Sequence, residues 1–302
     1  MSVRFLCALL ATFAAAPSLA QPTIRQLPGA PLRIQIAGDT SMQVRDERRY
    51  SDPLFFPECP RGLEATADAG VLVRVGDTTY GPDFASHPCG TSVLGVVPWI
   101  PISIGEVSGT GSSSDPYQVQ VVVAAGSTGL RLTETVRYVD GRTSFLPILR
   151  FSNVGTDVVT WRTFLAVNVA ELSYSIRSAE RPGAHAAFKL GAPFPACAPE
   201  PYWILLPAAD RDSGNDPFQV WGEILAGELS NTIYGGCPSS GVASEWEDRT
   251  LAPGQTLEIT PSPGISFVVV DAATIPTLSE SVLTAFAALL GLAGLFAIRR
   301  AA

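Results

Sequence analysis

Through the middle of the chain, apolar and polar residues alternate with a period of two. Tyr117, Val119, Val121 and Val123 alternate with Gln118 and Gln120. Leu130, Leu132, Val136 and Tyr138 alternate with Arg131, Thr133, Thr135 and Arg137. That period turns one set inward and the other to water, so each run predicts a half-buried strand. Similar runs predict strands at 32–36, 71–75, 143–151, 160–169, 202–206, 218–224, 256–260 and 265–270. Asp140-Gly141, Asn153-Val154-Gly155 and Ala252-Pro253-Gly254 separate them as turns. No stretch of the middle region keeps a helical period for more than two turns. Short strands punctuated by turns predict an all-β fold, a large antiparallel β-sandwich.

Two arrangements of that sandwich suit the pattern, one supersandwich-like domain or two Ig-like units. Asp115-Pro116-Tyr117-Gln118-Val119 recurs as Asp216-Pro217-Phe218-Gln219-Val220. The recurrence reads either as a repeat or as one Asp-Pro turn launching two strands. The run 130–170, with Glu134-Thr135-Val136-Arg137-Tyr138 followed by Phe151-Ser152-Asn153, resembles the central strands of two-sheet supersandwiches of the galactose-mutarotase type. That resemblance favours the single large domain.

The two ends break the alternation. Arg4 precedes an apolar stretch, and Ser18-Leu19-Ala20 sets small residues where a signal peptidase reads them. This predicts a signal peptide over residues 1–20, cleaved after Ala20. Residues 282–298 carry no charge, and at ~1.5 Å per residue they span ~25 Å of a ~30 Å hydrocarbon core. Arg299 and Arg300 follow at once. By the positive-inside rule they hold the C-terminus in the cytoplasm and leave everything before Ser281 outside.

Just before that predicted membrane helix stands Ile275-Pro276-Thr277-Leu278-Ser279-Glu280. The motif, the apolar helix and the terminal arginines together resemble the IPTL-CTERM class of bacterial sorting signals, with Ser281-Val282 where the family often carries Trp-Gly. The resemblance covers residues 275–302. It implies an exosortase-type membrane enzyme that removes the tail and passes the protein to the cell envelope or surface. Pro276 lacks an amide donor and biases Ile275 towards extended backbone, which leaves a strand open to such an enzyme. The alternative is a plain tail anchor holding a periplasmic domain at the inner membrane.

Residues 21–274 remain as the exported domain. A hydrophobic content of 46 % excludes disorder, and 27 Gly with 25 Pro argue against a mainly helical chain. With 20 Lys+Arg against 28 Asp+Glu, the net charge of −8 lacks the basic footprint of a nucleic-acid binder. Lys189 is the only lysine, which confines Schiff-base chemistry to one position. Outside the signal stand Cys59, Cys89, Cys197 and Cys237. An even count in an exported chain favours disulfides, and sequence neighbourhood favours Cys59–Cys89 and Cys197–Cys237 among the connectivities open to them. No Cys-x-x-Cys pair exists, so zinc has little material. His87 reads as a turn beside a bridge and His185 as a loop residue.

Two polar constellations stand out. Asp210, Asp212 and Asp216 lie at spacings that could converge on calcium. However, Gly214 and Trp221 occupy positions where an EF-hand loop has Asp or Asn and Glu, and a solvated turn is the other reading. Glu245 and Glu247 flank Trp246, a pairing suited to sugar chemistry. On a regular strand the two carboxylates would share a face opposite the indole, which a sandwich would simply bury. No nucleophile elbow, phosphate loop, dinucleotide fingerprint or His-Glu metal motif occurs, so no catalytic residue and no cofactor is assigned. The chain reads as an exported cell-envelope or surface protein of structural or interaction type. The alternative is a carbohydrate-binding or carbohydrate-active supersandwich with envelope polysaccharide as partner.

Overall fold

The computed structural model describes residues 23–49, 52–53, 55, 65–88, 95–168, 176–180, 187–191, 199–205, 209–215, 217–232, 241–261 and 264–269. Ser18 and Ala20, the four cysteines, Asp216, the motif Ile275-Pro276-Thr277-Leu278-Ser279-Glu280, the segment 282–298, and Arg299 and Arg300 lie outside the described residues. Among the described residues no helix is long and apolar enough to cross a membrane.

The chain begins with a meander of β1 (Ile24–Leu27), β2 (Leu32–Ala37), β3 (Met42–Asp46) and β4 (Asp52–Pro53), paired in that order. Next come β5 (Ala69–Val75), β6 (Thr78–Gly81), β7 (Val96–Pro98) and β8 (Ile100–Ile104). They are followed by β9 (Tyr117–Ala124), β10 (Leu130–Tyr138), β11 (Ser144–Asn153) and β12 (Val159–Asn168). Further on stand β13 (Ile176–Glu180), β14 (Ala187–Gly191), β15 (Pro199–Leu205), β16 (Arg211–Asn215) and a helix, α1 (Pro217–Ala226). The last strands are β17 (Gly241–Leu251), β18 (Thr256–Ile259) and β19 (Ile265–Val269).

The architecture is all-β, as the alternation predicts. A nine-stranded sheet runs β13-β14-β15-β19-β11-β10-β9-β8, with β18 also paired to β11, and a six-stranded sheet runs β16-β17-β12-β5-β6-β7. Pairing is antiparallel except between β6 and β7, which are parallel. Early and late strands interleave in both sheets: β12 lies between β5 and β17, and β11 between β10 and β19. Two Ig-like units, each closed on itself, are therefore not what this chain builds.

One core joins the layers. Val119, Val121 and Val123 of β9 and Leu132, Val136 and Tyr138 of β10 share it with Val71 and Val73 of β5 and Trp161, Leu165 and Val167 of β12. The four-stranded sheet contributes Leu32, Ile34, Ile36 and Val44 to the same cluster. Each such side chain, taken fully out of water, contributes roughly 1.5–3 kcal/mol. The hairpin between β2 and β3 reaches across to β5, where a Cβ on Gly70 would stand 2.7 Å from the Thr40 carbonyl oxygen. Only glycine permits that approach.

One predicted strand is a helix. The run 218–224 suits either period, but Val220, Trp221 and Ile224 are buried against Leu72, Phe164 and Ala166 on the outer face of the six-stranded sheet, while Phe218 is exposed. The spacing i, i+1, i+4 makes one helical face, and Pro217 occupies the first position, where a missing amide costs nothing. The second Asp-Pro motif thus leads into a helix, whereas the first leads into β9. The recurrence is neither a repeated unit nor a repeated strand start.

Candidate functional site: an arginine-lined sheet face

The β9, β10 and β11 strands present their inward residues to the core and their outward residues to solvent. Register fixes the outward set. Thr135 of β10 pairs with Gln120 of β9 and Ile148 of β11, Arg131 pairs with Ser152, and Thr133 pairs with Arg150. On the far side Arg150 pairs with Glu258 of β18. Together these side chains line an open groove of about 450 Å³, in which Val122, Ile148 and Val154 provide the apolar contacts. A second depression of about 370 Å³ continues past the β10–β11 hairpin along Arg137, Arg142 and Ser144. The hairpin tip carries Gly141 at φ +80°, which sets Arg142 at the end of the row.

The charges on this face are left open. Elsewhere Arg25, Arg33, Arg48, Arg74, Arg162, Arg211 and Arg249 each pair with a carboxylate. Among the described residues Arg131, Arg137, Arg142 and Arg150 form no ion pair, although Glu258 stands directly across from Arg150 in the strand register. Arg137 donates only to the Gln118 amide oxygen, at 3.2 Å. Arg131 has its Nε shielded from water with no hydrogen-bond partner at all. Glu258, the one acid of the groove, accepts from the Thr260 hydroxyl at 3.2 Å.

A second polar cluster lies inside the fold, and sequence reasoning missed it. Asp39, at the tip of the β2–β3 hairpin, is fully supplied with donors. Its Oδ1 accepts from the Ser41 hydroxyl at 2.7 Å and the Ser41 amide at 3.2 Å, and its Oδ2 from the Asp83 amide at 3.0 Å and His87 Nε2 at 2.8 Å. Thr66 Oγ1 bridges Ser41 Oγ at 2.7 Å and His87 Nδ1 at 3.3 Å. Since Ser41 spends its proton on Asp39, Thr66 donates to Ser41. Burial pushes the Asp39 carboxyl up, but the His87 ring and Ser41 outweigh it and hold the group below its usual range. His87 sits at a bend, as the sequence predicts, and is a buried partner of Asp39.

Glu134 completes the interior polar set from the core side of β10. It is fully buried, both its carboxyl oxygens lack partners, and its register neighbours are Val121 and Leu149. Burial, reinforced by the negative charge of Asp39, pushes its pKa up to about 8. It stands neutral at pH 7.

The constellations singled out in the sequence are dispersed or structural. Between Trp161 and Thr163 the β12–β17 register shifts, so Trp246 opposes Thr163 and joins the main core, while Glu245 opposes Phe164 on the α1 side. There Glu245 Oε2 accepts the Leu229 amide at 2.6 Å. Arg162 Nη1 lies 3.3 Å from Oε1 without the alignment of a hydrogen bond. Burial raises the Glu245 carboxyl, against the pull of the Leu229 amide and of Arg162 and Arg211. Glu247 is exposed and accepts from Arg211 Nε at 3.3 Å. Trp246 is thus buried in the main core, with Glu245 buried and Glu247 exposed to either side of it in sequence.

Arg211–Asn215 forms strand β16 rather than a turn. Asp212 is buried and accepts the Ser244 hydroxyl at 2.7 Å, and Asp210 accepts the Glu247 amide at 2.8 Å and Arg249 at 3.2 Å. Among the described residues no group of three or more His, Cys, Asp or Glu side chains could hold a metal ion.

No family model and no curated protein matches the chain. Solved structures to which it is similar include a putative aldose 1-epimerase from Escherichia coli K12, at 11 % identity and TM-score 0.40, over 82 % of this chain and 99 % of that one. A galactose mutarotase-like protein from Lactobacillus casei ATCC 334 is similar at 10 % identity and TM-score 0.39, over 82 % and 100 %. A variant of the GH36 α-galactosidase AgaA from Geobacillus stearothermophilus, in complex with raffinose, is similar at 12 % identity and TM-score 0.39, over 82 % of this chain and 41 % of that longer one.

Proposed function

We propose that this is an exported cell-envelope protein that binds carbohydrate on the outward face of β9, β10, β11 and β18. One observation carries the reading: a groove of about 450 Å³ sets hydroxyl, amide and guanidinium groups beside an aliphatic floor. A pyranose presents the same mixture of polar edges and C–H faces, and the volume lies in the range of small-ligand sites. Among the described lining residues there is one carboxylate, Glu258. Glycoside hydrolysis ordinarily uses two, which favours binding over cleavage. The nine- and six-stranded sheets around one core support a single supersandwich-like domain.

Delivery follows from the ends of the sequence. Ser18 and Ala20 mark signal cleavage, and residues 275–302 supply an IPTL-type tail for an exosortase-type enzyme, with Arg299 and Arg300 as the membrane stop until processing. Mass spectrometry of the mature protein checks this: a chain still carrying Ala302 overturns the sorting reading in favour of a tail anchor. A glycan array probed with the full chain tests the binding site. We expect retention of a saccharide class that Thr133→Trp, which fills the groove, abolishes. Binding that survives Thr133→Trp, or no binding across the array, overturns the assignment.

A further inference from the structure

The arginines of the groove are arranged as a row rather than a point. Arg131 and Arg150 stand opposite Ser152 and Thr133 respectively. They are therefore diagonal neighbours on adjacent strands, roughly 7–8 Å apart at the backbone. Arg137 lies six residues further along β10, about 20 Å from Arg131 at ~3.4 Å per residue. Arg142 follows at the hairpin, in the second depression, which shares Arg137 with the first.

A single small anion would engage one or two of these groups and leave the remainder unpaired. A linear ligand with charge repeated along its length matches them all. The surrounding chemistry narrows the class. The protein is acidic overall, at −8, and this face, with Arg131, Arg137, Arg142 and Arg150 against the single carboxylate of Glu258, is a local reversal of sign that selects anions. The guanidinium is planar and grips a carboxylate through two parallel hydrogen bonds, a fit that an ammonium lacks. The hydroxyls of Thr133, Thr135 and Ser152 between the charges suit the neutral part of a sugar unit.

Building on the saccharide reading above, we propose that the ligand of this face is a polyuronate, a linear polysaccharide bearing carboxylates. Arg131 and Arg150 grip one uronate, and Arg137 and Arg142 extend the track to further units.

Calorimetric titration of the full chain with an oligogalacturonate, its methyl ester and a sulfated oligosaccharide of equal length tests this. The expected result is binding of the oligogalacturonate that weakens with added salt, and at least tenfold weaker binding of the methyl ester. Arg131→Gln and Arg150→Gln should each weaken binding about tenfold. Arg150→Lys, which keeps the charge but loses the fork, should lose most of that too. Arg249→Gln, a paired arginine elsewhere, should leave it unchanged. Melting curves identify any variant with a disturbed fold, for which Arg150→Lys serves as the second measurement. Equal binding of the methyl ester, or tighter binding of the sulfated oligomer, overturns the uronate inference and leaves the saccharide reading standing. No binding of any of the three, together with an empty glycan array, overturns both.

Discussion

The two sides of β10 handle polar groups in opposite ways. Inward, Glu134 sits neutral in the core, and beyond it the Asp39 carboxylate is filled by four donors, two of them from Ser41 and one from His87. Outward, Arg131 and Arg137 share a face with Arg150 and Arg142, and among the described residues none of the four forms an ion pair, with Glu258 the one carboxylate on that face. Arginines elsewhere show that this sequence can supply carboxylate partners, as it does for Arg162 and Arg249. A polar cluster that saturates itself contributes to the fold and has little left for a ligand. A cluster whose donors stay open does little for stability and is available for binding.

The contrast can be attacked first at Glu134. Its carboxyl is raised to about 8 in the fold and is close to 4.5 when unfolded. Between those values the folded state holds a proton that the unfolded state has lost, so stability falls as pH rises through the window. The full drop is about 5 kcal/mol. Urea denaturation at pH 5 and pH 8 should show most of it, about 3.5 kcal/mol, and Glu134→Leu should flatten it. A slope that persists in the variant would remove Glu134 from the account.

Next in size, Asp39→Ala should cost about 4 kcal/mol at pH 7 by stranding His87 and Ser41. The Asp39 carboxyl is held low, so its contribution is present above the ordinary carboxylate range and is lost as pH falls through the folded value. The variant should therefore lose part of the acid limb of the pH–stability curve. Gly70→Ala, which drives a methyl into the Thr40 carbonyl, should cost about 2 kcal/mol in the same assay. At the small end, Arg131→Gln and Arg150→Gln should change stability by no more than about 0.5 kcal/mol. A large loss from either would mean that the outer face is structural after all.

The strands and the wet face were legible because alternation is a local signal: Arg131, Thr133, Thr135 and Arg137 are outward by period alone. What made them a site was not. That Arg150 stands beside Thr133, and that among the described residues the row forms no ion pair, depends on β-pairing and on where the acids of distant segments end up. The Asp39–His87 contact joins residues 48 positions apart, and nothing in the local sequence marks it. The helix α1 was misread because ten residues give too few turns to separate a period of 3.6 from one of 2. The burial of Trp246 between Glu245 and Glu247 follows from alternation, whereas the bulge beside it does not, because a rule of strict alternation has no place for an extra residue.

A crystal structure of the full chain with an oligogalacturonate tests the division between the two sides of β10 most directly. The expected result is saccharide lying along the outward face, with carboxylates on Arg131 and Arg150 and the Asp39–His87 cluster untouched. Saccharide bound elsewhere, with the arginine row empty, would contradict it.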